Sequence, residues 1–286
     1  MSAPSIRRAI GRQAAASARD LEGFYSRPME DVLADPGLPA ARERLLEALE
    51  SGWIRSASRS EDGAWSANPW VKLAILAGFR STGMIDFPEW PGGTADKAAF
   101  PPRRLGLADG VRIVPGGSSV RRGAHVEAGV VIMPPAYVNV GAWIGAGTMV
   151  DSHALVGSCA QVGKRVHLSA AAQLGGVLEP AGARPVVVED ECFIGALCGL
   201  FEGVVVRSRA VLAAGAVMTA STTLYDLVNG RELRGEVPEG AVVVPGSRPA
   251  RGEFARERGI SLYAPCIVKY RDAGTDAATA LEEALR

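Results

Sequence analysis

The most constraining feature of the chain is a run of aliphatic residues spaced six positions apart. The run has eleven members without a gap: Val114, Val120, Val126, Ile132, Val138, Ile144, Val150, Val156, Val162, Leu168 and Leu174. A fixed short period of this kind predicts a parallel β-helix, in which each unit buries its apolar side chain only by stacking on its neighbours. Strands of a β-sandwich alternate with period two and break every ~8–12 residues, so the period argues against a sandwich.

The period resumes after a slip of two residues within positions 178–185, where we expect an inserted loop. The resumed series comprises Val188, Ile194, Leu200, Val206, Leu212, Met218 and Leu224. Three six-residue units make one triangular coil, so the two series together predict about six coils.

Small residues follow the same period. The position two residues before each aliphatic is nearly always small or β-branched, and Cys192 and Cys198 occupy two such positions. Glycine directly follows the aliphatic at Gly145, Gly157 and Gly195, as expected where a corner needs unusual dihedral angles or leaves no room for a side chain.

The composition argues against several classes of function. The 286 residues include 31 basic and 31 acidic ones, and no cluster of Lys and Arg offers the charge that nucleic acid requires. No apolar stretch approaches the ~20 residues of a membrane span, and the N-terminus lacks the apolar middle of a signal peptide, so we expect a cytoplasmic protein. Four scattered cysteines without zinc-type spacing predict reduced thiols and no metal.

Three parts are predicted: residues 1–108, an α-rich domain with a linker; 109–247, the β-helix; and 248–286, an extension. In the first part we expect helices over residues 39–50 and 69–79, a hairpin over 53–65 and a linker over 87–107. In the last part, residues 260–270 are predicted to be strand-like and residues 276–286 a short helix.

Three segments of the repeat carry a resemblance to a known family: Met149–Lys164, Val166–Ser169 and Gly175–Pro180. They resemble tetrahydrodipicolinate N-succinyltransferases, and the similarity extends to residues 50–80 and 261–269. The resemblance implies a left-handed β-helix and a homotrimer with active sites between neighbouring subunits. It also implies transfer of a succinyl group from succinyl-CoA to the amino group of a ring-opened cyclic imine dicarboxylate.

The resemblance assigns roles to two residues. Asp151 matches the aspartate that orients and deprotonates the attacking amine, which requires a base within hydrogen-bond reach of the nitrogen. Arg112 matches an arginine that holds a carboxylate of the acceptor, a task suited to the planar guanidinium group. Without the resemblance, both would be read as solvated surface charges.

The chain departs from the family where members usually carry Arg-Ser-Glu after Ile-Gly-Ala. The residues here are Leu197, Cys198 and Gly199. The family glutamate helps bind or activate the acceptor amine, so its loss predicts a changed substrate preference. Glu202 stands at a second family position and is a candidate substitute acid.

Histidine offers an alternative base. His153 stands where the family usually has Trp, and other hexapeptide acyltransferases use His as general base. It is therefore a candidate to share catalysis with Asp151, the alternative being packing at the trimer seam. His167 matches a residue that the family retains, and we expect it to be structural.

Coenzyme A is expected in a groove between adjacent coils near the C-terminal end, as in the family. Close backbone approach is permitted by Gly175, Gly176, Ala213, Ala214 and Gly215, and the phosphates would meet Arg248 or Lys269. The alternative for each glycine is a purely structural corner.

Two classes of function follow. The first is a CoA-dependent N-acyltransferase, which either succinylates tetrahydrodipicolinate for lysine and diaminopimelate synthesis or transfers an acetyl or other acyl group to a related amino acid in a specialised, tabtoxin-like pathway. The second is a non-catalytic β-helix that serves in structure or assembly, or a carbonic-anhydrase-like solenoid. The Asp151 motif and the lack of a zinc-type His triad favour the first class.

Overall fold

A computed structural model describes residues 16–89, 93–272 and 274 of the chain. Its N-terminal part holds α1 (residues 16–25), α2 (Met29–Ala34), α3 (Leu38–Glu50) and α4 (Pro69–Ser81). Proline fixes φ in the first turn of α3 and of α4, which favours helix initiation there. The predicted helices at 39–50 and 69–79 are confirmed, whereas α1 and α2 were not anticipated.

Two hairpins complete this part: β1 (Ala57–Arg59) with β2 (Trp65–Ala67), and β3 (Met84–Phe87) with β4 (Thr94–Lys97). The first hairpin overlaps the one predicted over 53–65, but its second strand begins at Trp65 and extends to Ala67. The expected linker over 87–107 is wrong in part, because it contains β4 and a core residue. Phe100 is buried against Phe79, with ring centroids 4.5 Å apart, and a Cβ at Gly78 would lie 2.7 Å from its ring.

The remainder is a left-handed parallel β-helix with three faces. Face 1 contains β5 (Arg112–Ile113), β8 (Val131–Ile132), β11 (Met149–Val150), β14 (His167–Leu168), β17 (Phe193–Ile194), β20 (Val211–Leu212) and β25 (Ala241–Val244). Face 2 contains β6 (Ser119–Val120), β9 (Tyr137–Val138), β12 (Leu155–Val156), β15 (Gln173–Leu174), β18 (Gly199–Leu200) and β21 (Val217–Met218). Face 3 contains β7 (His125–Val126), β10 (Trp143–Ile144), β13 (Gln161–Val162), β16 (Val187–Val188), β19 (Val205–Val206) and β24 (Glu236–Val237).

The register confirms the predicted period and the inserted loop. Ile144 pairs with Val162 one coil later, and the aliphatic series lies in one buried core. Val162 pairs with Val188, whereas an uninterrupted coil would place Pro180 there. The N-terminal helices form a second core with Phe100, and this core includes Val140 and Cys159 of the β-helix.

The predicted aliphatic series is wrong at its first and last members. Ile113, and not Val114, pairs with Ile132, because the first coil holds one extra residue. Leu224 is buried but lies in β22 (Thr223–Asp226), which forms an antiparallel hairpin with β23 (Arg231–Arg234). The strand that stacks on Val206 is instead β24, at Val237.

A glycine directly after the inward aliphatic was explained by unusual dihedral angles or by lack of room for a side chain. The structure distinguishes these two explanations. A Cβ at Gly157 would lie 2.3 Å from the backbone nitrogen of Gly176, so these glycines are required by close packing between coils. Left-handed backbone occurs instead about three residues after the aliphatic, at His153, Cys159, Arg165, Ala171, Glu191, Leu197 and Arg209. The N–H of Ala171 donates to the carbonyl of Ser152, one coil earlier, at 2.8 Å. The turn residue therefore links successive coils.

The C-terminal elements close the upper end of the helix. They are β26 (Ser247–Pro249), α5 (Glu253–Glu257), β27 (Ser261–Tyr263) and β28 (Cys266–Tyr270), which confirms the strand-like tail at 260–270. β28 lies antiparallel to β25 and parallel to β22. The helix predicted at 276–286 lies outside the described residues, and the boundaries predicted after residues 108 and 247 stay predictions.

The cysteines are free, as expected. Cys192 and Cys198 are buried at small-residue positions, and burial raises the pKa of both thiols. Among the helices of the described residues, none is both long and apolar enough to cross a bilayer.

A buried carboxylate fastens the β22–β23 hairpin to the tail. Asp226 accepts hydrogen bonds from Asn229 Nδ2 at 2.8 Å, Tyr270 Oη at 2.8 Å and Arg231 Nε at 3.0 Å. Burial alone would raise the pKa of this carboxyl, but the hydrogen bonds lower it far below its usual range. The ionised form is thus stabilised by folding.

We expect Asp226→Asn to lower the free energy of unfolding by about 2–4 kcal/mol at pH 7, measured by urea denaturation. Because the folded-state pKa is depressed, this stability is fully present above the unfolded-state pKa of about 3.9 and is lost as the pH falls further. The gap between wild type and variant should therefore narrow below about pH 4.

Asp272→Asn is the matched control, since Asp272 is exposed and pairs with Lys269 Nζ at 3.3 Å. We expect it to change the free energy of unfolding by less than about 1 kcal/mol. An equal loss in both variants, or a gap at Asp226 that does not depend on pH, would contradict this account.

Candidate active site

Asp151 lies at the edge between faces 1 and 2, directly after the inward-facing Val150. Its side chain is 32% exposed. Oδ1 accepts a hydrogen bond from the Ser152 N–H at 2.7 Å, and Oδ2 lies 4.0 Å from His167 Nε2. The carboxylate is therefore held at the surface with one oxygen beside an imidazole.

His167 lies beside Asp151 because each coil stacks on the one before it at a spacing of eighteen residues. It pairs with Met149 on face 1, so it stands one coil above the strand that ends before Asp151. Its ring packs edge-on against Phe193, with centroids 4.8 Å apart. We expected His167 to be structural, yet the structure makes it the neighbour of the candidate base. Its position eighteen residues after Met149 was the signal that could have shown this.

His153 occupies an exposed turn on the same edge, with φ of 62°. Gln173 Nε2 donates to its carbonyl oxygen at 3.0 Å. The structure fixes the backbone of His153 and places its ring on the surface, so its part in catalysis stays a prediction.

Arg112 and Glu202 lie apart from Asp151 within the chain. Arg112 is exposed on β5, the first rung of face 1, at a shallow cavity of about 500 Å³ that Leu105, Leu107 and Gly110 also line. Glu202 is exposed at a left-handed turn on the edge between faces 2 and 3. A single chain therefore does not assemble the predicted acceptor site.

The residues predicted for coenzyme A divide between two edges. Ala214 and Gly215 lie above Asp151 on the edge between faces 1 and 2, among small residues that comprise Ser169, Ala170, Ala171, Gly195, Ala196 and Ala213. Gly175 and Gly176 lie on the next edge, where a Cβ at Gly176 would meet the Ser158 nitrogen at 2.8 Å. Packing alone thus explains Gly176.

The two predicted phosphate ligands lie in the C-terminal strands. Arg248 is half-buried in β26, opposite Leu262 of β27. Lys269 is exposed on β28, where its Nζ is 3.3 Å from Asp272 Oδ2. The β26–β27 hairpin reaches face 2, because Tyr263 Oη accepts a hydrogen bond from the Val217 N–H at 2.7 Å.

Comparison with known proteins decides the family. The model for the tetrahydrodipicolinate N-succinyltransferase N-terminal region matches residues 31–81, and the hexapeptide repeat of succinyl-transferase matches residues 185–220. A 2,3,4,5-tetrahydropyridine-2,6-dicarboxylate N-succinyltransferase of Methylobacterium sp. (strain 4-46) is 43% identical over 277 residues, which cover 94% of this chain and 98% of that protein. Proteins of the same name from Rhodopseudomonas palustris are 44% identical (strain BisA53) and 46% identical (strain TIE-1), each over 86% of this chain and 89% of the relative. The chain belongs to the tetrahydrodipicolinate N-succinyltransferase family.

The three residues where the resemblance implied a departure from the family, Leu197, Cys198 and Gly199, have distinct environments. Leu197 is 69% exposed at a left-handed turn. Cys198 is buried, and its Sγ donates to the Ala213 carbonyl oxygen at 3.1 Å. Gly199 begins β18 on face 2, beneath the ring of Phe201. These positions therefore carry no charged side chain.

A second polar site, not anticipated from the sequence, joins the N-terminal part to face 3. Arg55 lies over the ring of Trp143 at 3.9 Å and donates from Nε to Gln161 Oε1 at 2.9 Å. Burial lowers the pKa of Arg55 to about 10. The buried Glu189 accepts hydrogen bonds from Trp65 Nε1 and Arg207 Nη1, at 2.9 and 3.1 Å. These contacts surround a cavity of about 250 Å³ and fix the first hairpin on the β-helix.

Within the described ranges, the structure has no group of three or more His, Cys, Asp or Glu side chains placed to hold a metal ion.

Proposed function

We propose that this protein is a CoA-dependent N-acyltransferase that succinylates ring-opened tetrahydrodipicolinate or a close amino-acid analogue. The observation that carries the proposal is Asp151, which the family motif identifies and whose carboxylate lies at the surface, with Oδ1 held by the Ser152 N–H and Oδ2 4.0 Å from His167 Nε2. The relatives, which are N-succinyltransferases by name, support this reaction class.

The reaction moves one proton through this site. The acceptor nitrogen attacks the thioester carbonyl carbon, so a C–N bond forms and the C–S bond breaks. Asp151 takes the proton that the nitrogen loses and returns it to the departing CoA thiolate, which leaves as the thiol, so no net proton is exchanged with solvent. His167, 4.0 Å from Oδ2, is placed to position the carboxylate during this transfer.

The small residues above Asp151 support a binding groove for the donor. Ala214 is exposed, and Gly215 adopts a left-handed φ of 77° beside Pro245. Backbone groups at such positions approach a ligand closely because no large side chain intervenes. We assign this edge to the CoA thioester, with Arg248 or Lys269 at the phosphates, and we infer a cytoplasmic location for an enzyme that uses such a donor.

The alternative within this class is transfer of an acetyl or other acyl group to a related amino acid in a specialised, tabtoxin-like pathway. Leu197 and Gly199 favour it, because the cation and the carboxylate usual in the family are replaced by uncharged residues. A non-catalytic assembly protein is the alternative class.

A thiol-release assay distinguishes these possibilities. It combines acetyl-, succinyl- and malonyl-CoA with tetrahydrodipicolinate and with 2-aminopimelate. We expect release that requires both donor and acceptor. Turnover of tetrahydrodipicolinate with succinyl-CoA at a kcat/KM of about 10⁴ M⁻¹s⁻¹ or more supports the family reaction, and no release with any pair would rule out catalysis on these substrates.

We expect the protein to be a homotrimer in solution, measured by sedimentation or light scattering. Arg112, Asp151 and Glu202 lie on different rungs or edges of one chain, so a shared site needs a neighbouring subunit to bring them together. A monomer at micromolar concentration would contradict a shared site.

We expect Asp151→Asn to lower kcat by ~10²–10⁴-fold, because the amide keeps the shape but accepts no proton. The affinity for CoA, measured by calorimetry, should be nearly unchanged. His153→Gln is the comparison on the same edge and should have little effect. A small loss in Asp151→Asn together with a large loss in His153→Gln would move the base role to His153.

A further inference from the structure

The cavity between the first hairpin and the β-helix lies outside the candidate active site of its own chain. It extends along the edge between faces 3 and 1, whereas Asp151 lies on the edge between faces 1 and 2. Its floor is backbone, because Gly145 and Gly163 stand between the coil of Glu127 and the coil of Glu189. A Cβ at Gly145 would lie 2.6 Å from the Gly163 carbonyl carbon. Close packing of the coils therefore keeps side chains off this floor.

A guanidinium group that has lost much of its water lines the cavity. Arg55 Cζ lies 3.9 Å from the ring centre of Trp143 and 5.5 Å from that of Trp65, and Nε donates to Gln161 Oε1 at 2.9 Å. Its two Nη atoms donate no hydrogen bond to any residue that the structure describes, and no carboxylate of those residues forms an ion pair with it. Burial lowers the pKa of Arg55 to about 10, so the group is still a cation at pH 7. A buried cation without a counter-ion favours a ligand that brings a carboxylate.

A carboxylate without a cationic partner lines the same cavity. Glu127 Oε2 accepts a hydrogen bond from the Ala146 N–H at 2.7 Å, while Oε1 accepts none from the described part of the chain and lies 3.8 Å from His125 Nε2. His125 Nδ1 is 2.9 Å from the carbonyl oxygen of Glu50, which can only accept, so Nδ1 carries the proton. Burial lowers the pKa of His125, so the ring is neutral at pH 7. Nε2 therefore offers Glu127 a lone pair and no proton.

The other charged groups at the cavity have partners within the protein. The buried Glu189 accepts a hydrogen bond from Arg207 Nη1 at 3.1 Å and lies 3.4 Å from Arg59 Nε. Asp190 Oδ1 accepts a hydrogen bond from the Lys164 N–H at 2.8 Å, and Lys164 brings the opposite charge to the same edge one coil below. One cation and one anion are left over, on Arg55 and Glu127.

These two groups share the cavity without pairing. Glu127 is near enough to oppose the effect of burial on the pKa of Arg55, yet the two side chains form no ion pair. A simple anion would be attracted by Arg55 and repelled by Glu127, and a simple cation would meet the reverse. A ligand with one charge of each sign satisfies both groups.

We propose that this cavity binds an α-amino acid as its zwitterion, with the carboxylate on the Nη atoms of Arg55 and the ammonium group on Glu127 Oε1. Trp65 and Trp143 line the cavity and offer aromatic surface to the side chain of the ligand. The ligand contacts the N-terminal part through Arg55 and the β-helix through Glu127, so its binding stabilises the junction between them. The inference goes beyond the acyltransferase function and does not depend on it, because this site uses neither CoA nor Asp151.

Titration calorimetry of the full chain with L-alanine and with L-leucine, in the absence of CoA, tests the site. We expect a Kd on the order of 1 mM or below for at least one of them. At ten times that concentration, the melting temperature should rise by roughly 2–5 °C.

Propionate and ethylamine are the matched probes, since they are L-alanine without its ammonium group and without its carboxylate. Each should bind at least roughly tenfold more weakly than the amino acid. No binding of either amino acid at about 20 mM, or equal binding of propionate or ethylamine, would overturn the inference.

Two variants test the groups that hold the ligand. Glu127→Gln keeps an oxygen for the Ala146 N–H and removes the charge, and we expect it to weaken binding by roughly ten- to a hundredfold. Arg55→Lys keeps the charge and removes the fork, and we expect a loss of roughly tenfold. Arg55 also contacts Trp143 and Gln161, so the readout is the shift in melting temperature that the ligand causes within each variant. Unchanged affinity in either variant would overturn the role of that residue in the site.

Glu232→Gln is the matched control, because Glu232 is an exposed acid on β23 and should leave binding unchanged. Asp151→Asn separates this site from the candidate active site, and we expect it to bind the amino acid with wild-type affinity. Loss of binding in Asp151→Asn would place the ligand in the active site and overturn the inference. The absence of thiol release with any donor and acceptor refutes the acyltransferase alone, because binding at this cavity is measured without CoA.

Discussion

The stacking of inward aliphatic side chains at an eighteen-residue register is the interaction on which the rest of the structure depends. Ile144 on Val162 and Val150 on Leu168 are two steps of this ladder, and the side chains along it are almost entirely buried. Each coil is stabilised mainly by its two neighbours. The outward-facing side chains contribute little to that core, so the residues at the turns can vary while the ladder stays intact.

The candidate site lies at these turn positions, where residues can vary without disturbing the ladder. Asp151, Ala196 and Ala214 all follow a buried aliphatic by one or two residues, so the ladder fixes where each backbone lies. The side chains at these positions then define the chemistry of the edge. Leu197 and Gly199 alternate with Cys198 and Leu200, which lie in the core, so the ladder does not depend on the side chains at 197 and 199.

The six-residue spacing of aliphatic residues predicted the β-helix, its number of coils and the inserted loop, because few other folds bury one aliphatic residue in every six. It failed at Val114 and Leu224, where the chain enters and leaves the regular coil and an extra residue or a hairpin costs the core little. The short helices α1 and α2 and the strand β4 were missed; β4 is the largely exposed segment Thr94–Lys97, whose residues show no apolar alternation.

The site was predicted less completely for a physical reason. The motif around Asp151 identified the candidate base, but the neighbour His167 follows from stacking one coil on the next and not from proximity in sequence. The ring of Phe201 was invisible to pattern analysis, because only the coordinates show that Gly175 and Gly199 face the same side chain.

The antiparallel strand β28 covers the last coil of the β-helix on face 1. A parallel β-helix presents unpaired N–H and C=O groups on its last coil, which is a template for adding another strand or another molecule. On face 1, β28 covers that template by pairing with β25, and Asp226 holds Tyr270 of the same strand. The covering strand runs against the direction of the coils, so a further parallel coil has no matching register on which to continue. The fold thus stops its own strand stacking at this end, which distinguishes a discrete enzyme from an open fibre built of the same repeat.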